Sequence, residues 1–155
     1  MPNWCSNKLV INAGSEAFVT HYTSLDENGQ RYFDFEKVLP TPPQLLNGDR
    51  WLSWRIAHWG TKWNTSANTT DANDEWREVF FDTAWSPPIE ILRLISEERP
   101  SIQFELHYFE LGGYFAGNVQ FDGEDFLQTE LDPIQTAYEQ FGWDFSDWNE
   151  EELVV

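Results

Sequence analysis

The chain reads as an α+β sandwich, a mostly antiparallel sheet with helices packed on one face. Three observations predict it. Strand–helix–strand segments occur twice along the 155 residues. The positions Ile102, Phe104, Leu106 and Tyr108 alternate with polar neighbours, the period of a half-buried strand. Two helices open on a polar cap followed by proline, Ser86-Pro87 and Asp132-Pro133.

Taken in order, Lys8 to Asn12 holds the apolar run Leu9-Val10-Ile11, suited to a buried strand. Gly14-Ser15 offers the N-cap of a helix bearing Phe18, Val19, Tyr22 and Leu25, which Asp26-Glu27-Asn28-Gly29 closes as a turn. Arg31 to Glu36 alternates through Phe33 and Phe35 and predicts a second strand. Pro40, Pro42 and Pro43 then break regular structure. Asp49 is placed to cap a short helix with Leu52, Ile56 and Trp59 on one face. The Thr-, Asn- and Asp-rich stretch from Asn64 to Asp74 predicts an exposed loop, and Trp76 to Thr83 a strand.

Ile89, Leu92 and Ile95 stripe the helix that starts at Ser86-Pro87, and Pro100 stops it. Gly112-Gly113 predicts a two-residue hairpin turn, with Phe115, Val119 and Phe121 in the return strand. Asp122 to Asp132 reads as turn and loop leading to the last helix. That helix carries Ile134, Ala137, Tyr138 and Phe141 on one face and Gly142 past its end. The reading is one domain over residues 1–142, followed by an acidic, aromatic tail over 143–155.

Charge is the second feature. Residues 1–63 hold six basic and six acidic side chains, so the whole formal charge of −18 arises after Trp63. From Pro100 to Val155 there are thirteen carboxylates and no lysine or arginine. An acidic face keeps a small protein soluble. A field this lopsided also repels nucleic acid and anionic membrane, and it attracts basic surfaces. With 17% aromatic residues, nine of them Trp and twelve Phe, the chain is too apolar to be a disordered polyanion. The lone Cys5 cannot form an internal disulfide and points to a reducing compartment. Met-Pro-Asn-Trp-Cys-Ser-Asn-Lys lacks a signal-peptide pattern, and no apolar run is long enough to span a bilayer. The expectation is a cytoplasmic protein with no membrane partner.

Chemistry-bearing constellations are sparse. His21, His58 and His107 stand far apart without ligand spacing, and one cysteine makes zinc improbable. Asp122-Gly123-Glu124-Asp125 lacks the spacing and terminal Glu of a calcium loop. Cys5 reads better as a small buried thiol than as a nucleophile. No catalytic residue, metal ligand or cofactor is therefore expected. The Trp-rich stretches 58–63 and 81–88 allow two readings, a stacking platform for bases or a Trp-lined core at tight corners. Stacking platforms need basic neighbours, so the core is preferred. In the tail, Trp143, Asp144, Asp147, Trp148, Glu150, Glu151 and Glu152 form either a solvated terminus or a docking segment with aromatic anchors.

Three segments carry a family likeness. Met1 to Asn7, Trp59-Gly60-Thr61-Lys62-Trp63 and Phe81 to Pro88 resemble, in the same order, the YubB-type ferredoxin-like family of phages and conjugative plasmids. The likeness runs over about residues 1–120 and stops short of the acidic end from Asp122. It implies a ferredoxin-like core and a mobile-element origin, and it supplies no catalytic residues.

Charge and likeness together lead to an expectation about function. The chain is expected to be a non-enzymatic anti-defence protein, binding the basic nucleic-acid groove of a host complex such as a CRISPR effector. It would block DNA access as a DNA mimic in the host cytoplasm, without binding nucleic acid itself. Two patches are expected to carry this. One is Asp122, Glu124, Asp125, Glu130 and Asp132; the other is the tail set, with Trp143 and Trp148 as anchors. The rivals are a metal-dependent nucleic-acid-processing enzyme and a structural protein of a phage.

Overall fold

A computed structural model describes residues 3–123 and 125–145. The centre of the fold is β1 (Trp4–Ala13), which lies inside a six-stranded sheet. Its neighbours are β5 (Glu78–Ala84) and β6 (Gln103–Glu110), and both pairings are antiparallel. The short β4 (Asp71–Ala72) lies outside β5, while β7 (Phe115–Asp122) and β8 (Asp125–Glu130) extend the sheet beyond β6. A separate ribbon pairs β2 (Thr23–Leu25) with β3 (Arg31–Phe33).

Side-chain alternation divides the sheet into two faces. Cys5, Leu9 and Ile11 of β1, Val79 and Phe81 of β5, and Phe104, Leu106 and Tyr108 of β6 turn to the main core. They meet Phe18 and Tyr22 of α1 (Ser15–Tyr22), Phe35 of α2 (Phe35–Val38), and Ile91, Leu92 and Ile95 of α4 (Ile89–Glu98). Aromatic rings bridge the layers edge to face: Phe33 lies 5.5 Å from Phe81, and Phe35 lies 5.6 Å from Trp59. The α+β class and the antiparallel sheet are as expected.

One element extends the expected single helical layer. α5 (Pro133–Phe141) packs on the opposite face, where Ala137 joins Phe109 and Ala116. Phe141 stands edge-on to Phe109 at 4.7 Å and to Phe80 at 5.9 Å. The reason lies in β6. Its alternation turns Phe109 away from the main core, and that ring must be covered. The cap signals at Asp132-Pro133 hold: the Asp132 carboxylate accepts from Gln135 N at 2.8 Å, and Gly142 ends the helix at φ 71°. The buried face is Pro133, Thr136 and Ala137, and Tyr138 is left 64% exposed.

Other local expectations are corrected. The strand predicted over Arg31–Glu36 ends at Phe33, because Asp34 caps a helical turn and accepts from Glu36 N at 3.0 Å. Both Phe33 and Phe35 still reach the core, so a two-residue period appeared without a continuous strand. The β6–β7 connection is four residues, Leu111 to Tyr114, and the positive φ of 56° falls on Tyr114. Gly112 and Gly113 provide clearance instead. A Cβ at either would stand within 2.7 Å of a carboxylate oxygen of the buried Glu110. Ser86 does not cap α4, which starts at Ile89. Asp49 precedes α3 (Arg50–His58) without a side-chain cap bond, and Leu52 and Ile56 stay exposed. The segment read as turn and loop, from Asp122 to Asp132, contains the whole of β8.

Candidate partner-binding surface

The three segments that carry the family likeness meet at one corner of the sheet. The buried Asn7 amide donates to Cys5 O at 3.1 Å, to Phe81 O at 3.2 Å and to Thr83 Oγ1 at 2.9 Å. Thr83 Oγ1 donates on to Ser86 O, and Ser86 Oγ to Gly60 O, each at 2.6 Å. Thr61 Oγ1 closes the set on Ala84 O at 2.9 Å. Buried polar groups need such partners, and a satisfied network ties the chain to one arrangement. Gly60 fits here for two reasons: its φ is 86°, and a Cβ would lie 3.0 Å from Ile89 N. Cys5 is buried in this corner, and desolvation pushes its thiol well above the ordinary range. A thiol held protonated is a poor nucleophile.

Of the tryptophans read as core, only Trp59 is fully buried. Trp85 is 53% exposed, turned outward by a left-handed backbone at φ 73°. Trp4 is also exposed, 6.0 Å from the ring of Trp63, over which Lys62 Nζ lies at 4.6 Å. A sequence period cannot register a single positive-φ residue, which explains the miss.

This corner forms one wall of a cleft of about 910 Å³. Gly60 and Ser86 lie on that wall; Tyr114, Phe115, Phe126 and Gln128 line the β7–β8 side. Two carboxylates, Glu90 and Glu130, border it, and Glu90 pairs with Arg93 at 2.8 Å. At its floor the Tyr108 hydroxyl accepts from Gln128 Nε2 at 2.6 Å, and burial raises the Tyr108 pKa. None of Phe126, Gln128 or Tyr108 was singled out by sequence as part of a site.

The expected first patch is divided by the structure. Asp122 and Asp125 face each other in register across the β7–β8 turn. Glu130 ends β8, about 17 Å away at roughly 3.4 Å per residue, and Asp132 follows it. Between the two acidic ends lie Phe126, Leu127, Gln128 and Thr129. Asp132 is engaged in capping α5, so its carboxylate is not wholly free for a partner. Trp143 of the second patch packs its ring edge-on against Phe109 at 5.1 Å, and its main-chain N–H donates to Ala137 O at 3.0 Å. It is therefore partly a helix-end staple rather than a free anchor. Asp144 follows directly. Glu124, Asp147, Trp148, Glu150, Glu151 and Glu152 lie outside the described residues.

On the α5 face, His107 sits half-buried between Lys8 and Asn118 in the sheet register, with Glu105 Oε1 at 3.8 Å from its Nε2. Burial lowers its pKa below the ordinary 6.5; Glu105 opposes this and Lys8 adds to it. A depressed folded pKa means that the unfolded chain binds the proton more tightly. The stability held by neutral His107 is full above the unfolded value, about 6.5, and is lost as pH falls through the lower folded value. Urea denaturation is expected to show the midpoint dropping over that window, with a smaller drop in His107→Gln. An unchanged slope in the variant would assign the dependence elsewhere. Asp82, raised by burial, acts with the opposite sign at lower pH.

The mostly antiparallel sheet with helices packed against it makes this an acidic α+β domain of the ferredoxin-like class. The chain belongs to the family described as the ferredoxin-like domain in Api92-like protein, whose model matches residues 58–153. That match takes in the acidic end from Asp122, which the likeness noted above did not reach. No curated protein and no solved structure matches the chain. Among the described residues no helix is long and apolar enough to cross a membrane, and no cluster of His, Cys, Asp and Glu is arranged to hold a metal ion.

Proposed function

We propose that this protein is a non-enzymatic acidic inhibitor of the YubB-type mobile-element kind, acting in the host cytoplasm against a defence complex. Its partner is a basic nucleic-acid-binding protein, a CRISPR effector being one such complex, whose groove it occupies in place of DNA. One observation carries the reading. Thirteen carboxylates follow Arg99 with no lysine or arginine among them, and those within the described residues include both ends of an exposed edge strand. DNA presents about one charge per 1.7 Å of axis, which its binding proteins meet with rows of Lys and Arg. Folded carboxylates address the same rows with less ordering cost than a flexible polyanion.

The test is capture from host lysate on the immobilised full chain, with mass spectrometry of what is held, followed by challenge with duplex DNA. The expected result is a nucleic-acid-binding complex released by DNA. Retention unaffected by DNA would remove the mimicry. Cleavage of DNA or RNA in the presence of magnesium or manganese, lost on replacing one carboxylate, would establish the enzymatic rival instead.

A further inference from the structure

Among the described residues, β8 is the last strand of the sheet and is paired on one side only. All six of its residues are exposed, Phe126 at 40% and Leu127 at 64%. One residue past its end, Leu131 N donates to Ala116 O of β7. Main-chain groups alternate sides along an antiparallel strand. Asp125, Leu127 and Thr129 therefore direct their N–H and C=O groups to β7, and Phe126, Gln128 and Glu130 direct theirs outward. Exposed edges are usually blunted by lysine, proline or a bulge. β8 contains neither residue type, and its register with β7 runs unbroken from Glu130 to Asp125.

Charge decides what such an edge accepts. A second copy pairing antiparallel about Gln128 would bring Glu130 and Asp132 of one chain beside Asp125 of the other, at both ends, with no cation in either strand. Like charges across a strand pair are destabilising, and each chain carries −18. Residues 146–155 contain four acids and no lysine or arginine, so the same repulsion applies to them. A strand with basic ends and an apolar middle has neither problem.

We propose that β8 is a docking edge for an extended, basic segment of the partner protein, which adds to the sheet as a seventh strand. This rests on the basic partner inferred above and specifies how that partner is held. Phe126, Gln128 and Glu130, whose main chains face outward, also line the cleft. Alternate side chains of the added strand then lie over Tyr114 and Phe115, and a lysine or arginine reaches Glu130 or Glu90. Main-chain pairing supplies affinity, and the cleft selects the side chains.

The probe is a short synthetic peptide of alternating valine and threonine with lysine at both ends, titrated into the full chain and followed by amide NMR. Shifts centred on Phe126, Gln128 and Glu130 are expected. The same peptide N-methylated at alternate residues should bind about tenfold or more weakly, having lost two or more hydrogen bonds. Glutamate-ended peptide should not bind. Gln128→Pro removes an outward N–H and the side-chain bond to Tyr108, but no main-chain bond to β7, so it should abolish peptide binding while the remaining amide spectrum keeps its dispersion. Gln128→Ala, which loses only the side-chain bond, should still bind the peptide. Equal binding by the N-methylated peptide would overturn the proposal, and so would shifts that spare β8. Concentration-dependent dimers lost in Gln128→Pro would assign the edge to a second copy. Tighter peptide binding after removal of residues 146–155 would assign it to this chain's own C-terminus. Either result overturns the proposal. If β8 binds the lysine peptide but lysate yields no DNA-competed complex, the function fails and the docking edge stands. If such a complex is captured equally well by Gln128→Pro, the docking edge fails and the function stands.

Discussion

Trp59→Ala is expected to cost about 3–5 kcal/mol of folding free energy, as for other fully buried large aromatics cut to alanine. Trp59 lies fully inside the main core. Its ring meets Phe35 at 5.6 Å and Trp54 at 6.1 Å, and the Arg55 guanidinium stacks over it at 4.7 Å. Its indole N–H donates to Leu39 O at 2.9 Å, so truncation leaves a carbonyl without that partner as well as a cavity. Domains of this size hold about 5–15 kcal/mol in total, so the melting temperature should fall by about 10 °C or more. Thermal and urea denaturation measure it. Trp59→Phe should recover part of the loss, because it refills volume without restoring the hydrogen bond. A loss under about 1 kcal/mol for the alanine variant would mean that the core collapses around the gap.

The largest functional effect is expected from reversing charge at the β8 ends. Asp122→Lys, Asp125→Lys and Glu130→Lys are combined, with Asp132→Asn, which keeps an oxygen for the Gln135 N–H and so preserves the α5 cap. Capture of the basic partner should fall far more than for Glu16→Lys with Glu27→Lys in the charge-balanced half. Asp26 stays untouched in that control, since its carboxylate accepts from Asn28 N and Gln30 N and holds the turn. Association by the unmodified chain should slow as salt rises, because screening shortens to about 8 Å at physiological ionic strength. The reversed chain should lose most of that dependence. Equal losses from both sets would mean that net charge alone governs capture, with no role for the edge.

Elements whose signal is local were legible. The β6 strand announces itself by strict alternation from Ile102 to Tyr108, and α5 by Asp132, Pro133 and Gly142, because caps and pleats act within a few residues. Failures follow where a residue's place depends on distant neighbours. Phe33 and Phe35 looked like one strand because both are buried, yet Asp34 turns the chain between them through bonds to Ser24 and Asn64 as well as its own turn. β8 was invisible as a strand, since Phe126-Leu127-Gln128-Thr129 has no clean two-residue period when neither face is deeply buried.

The sequence by itself determined the α+β class and the accumulation of carboxylates after Arg99, because composition and periodicity are properties of the chain alone. Only tertiary structure decided where those carboxylates stand. Pairing with β7 sends Asp122 with Asp125 to one end of an open edge and Glu130 with Asp132 to the other. Strand order likewise sets the apolar middle of β8 beside the Tyr114–Phe115 cleft, with no strand beyond it among the described residues. Long-range register is set by which faces must be buried together, and no window of neighbouring residues contains that information.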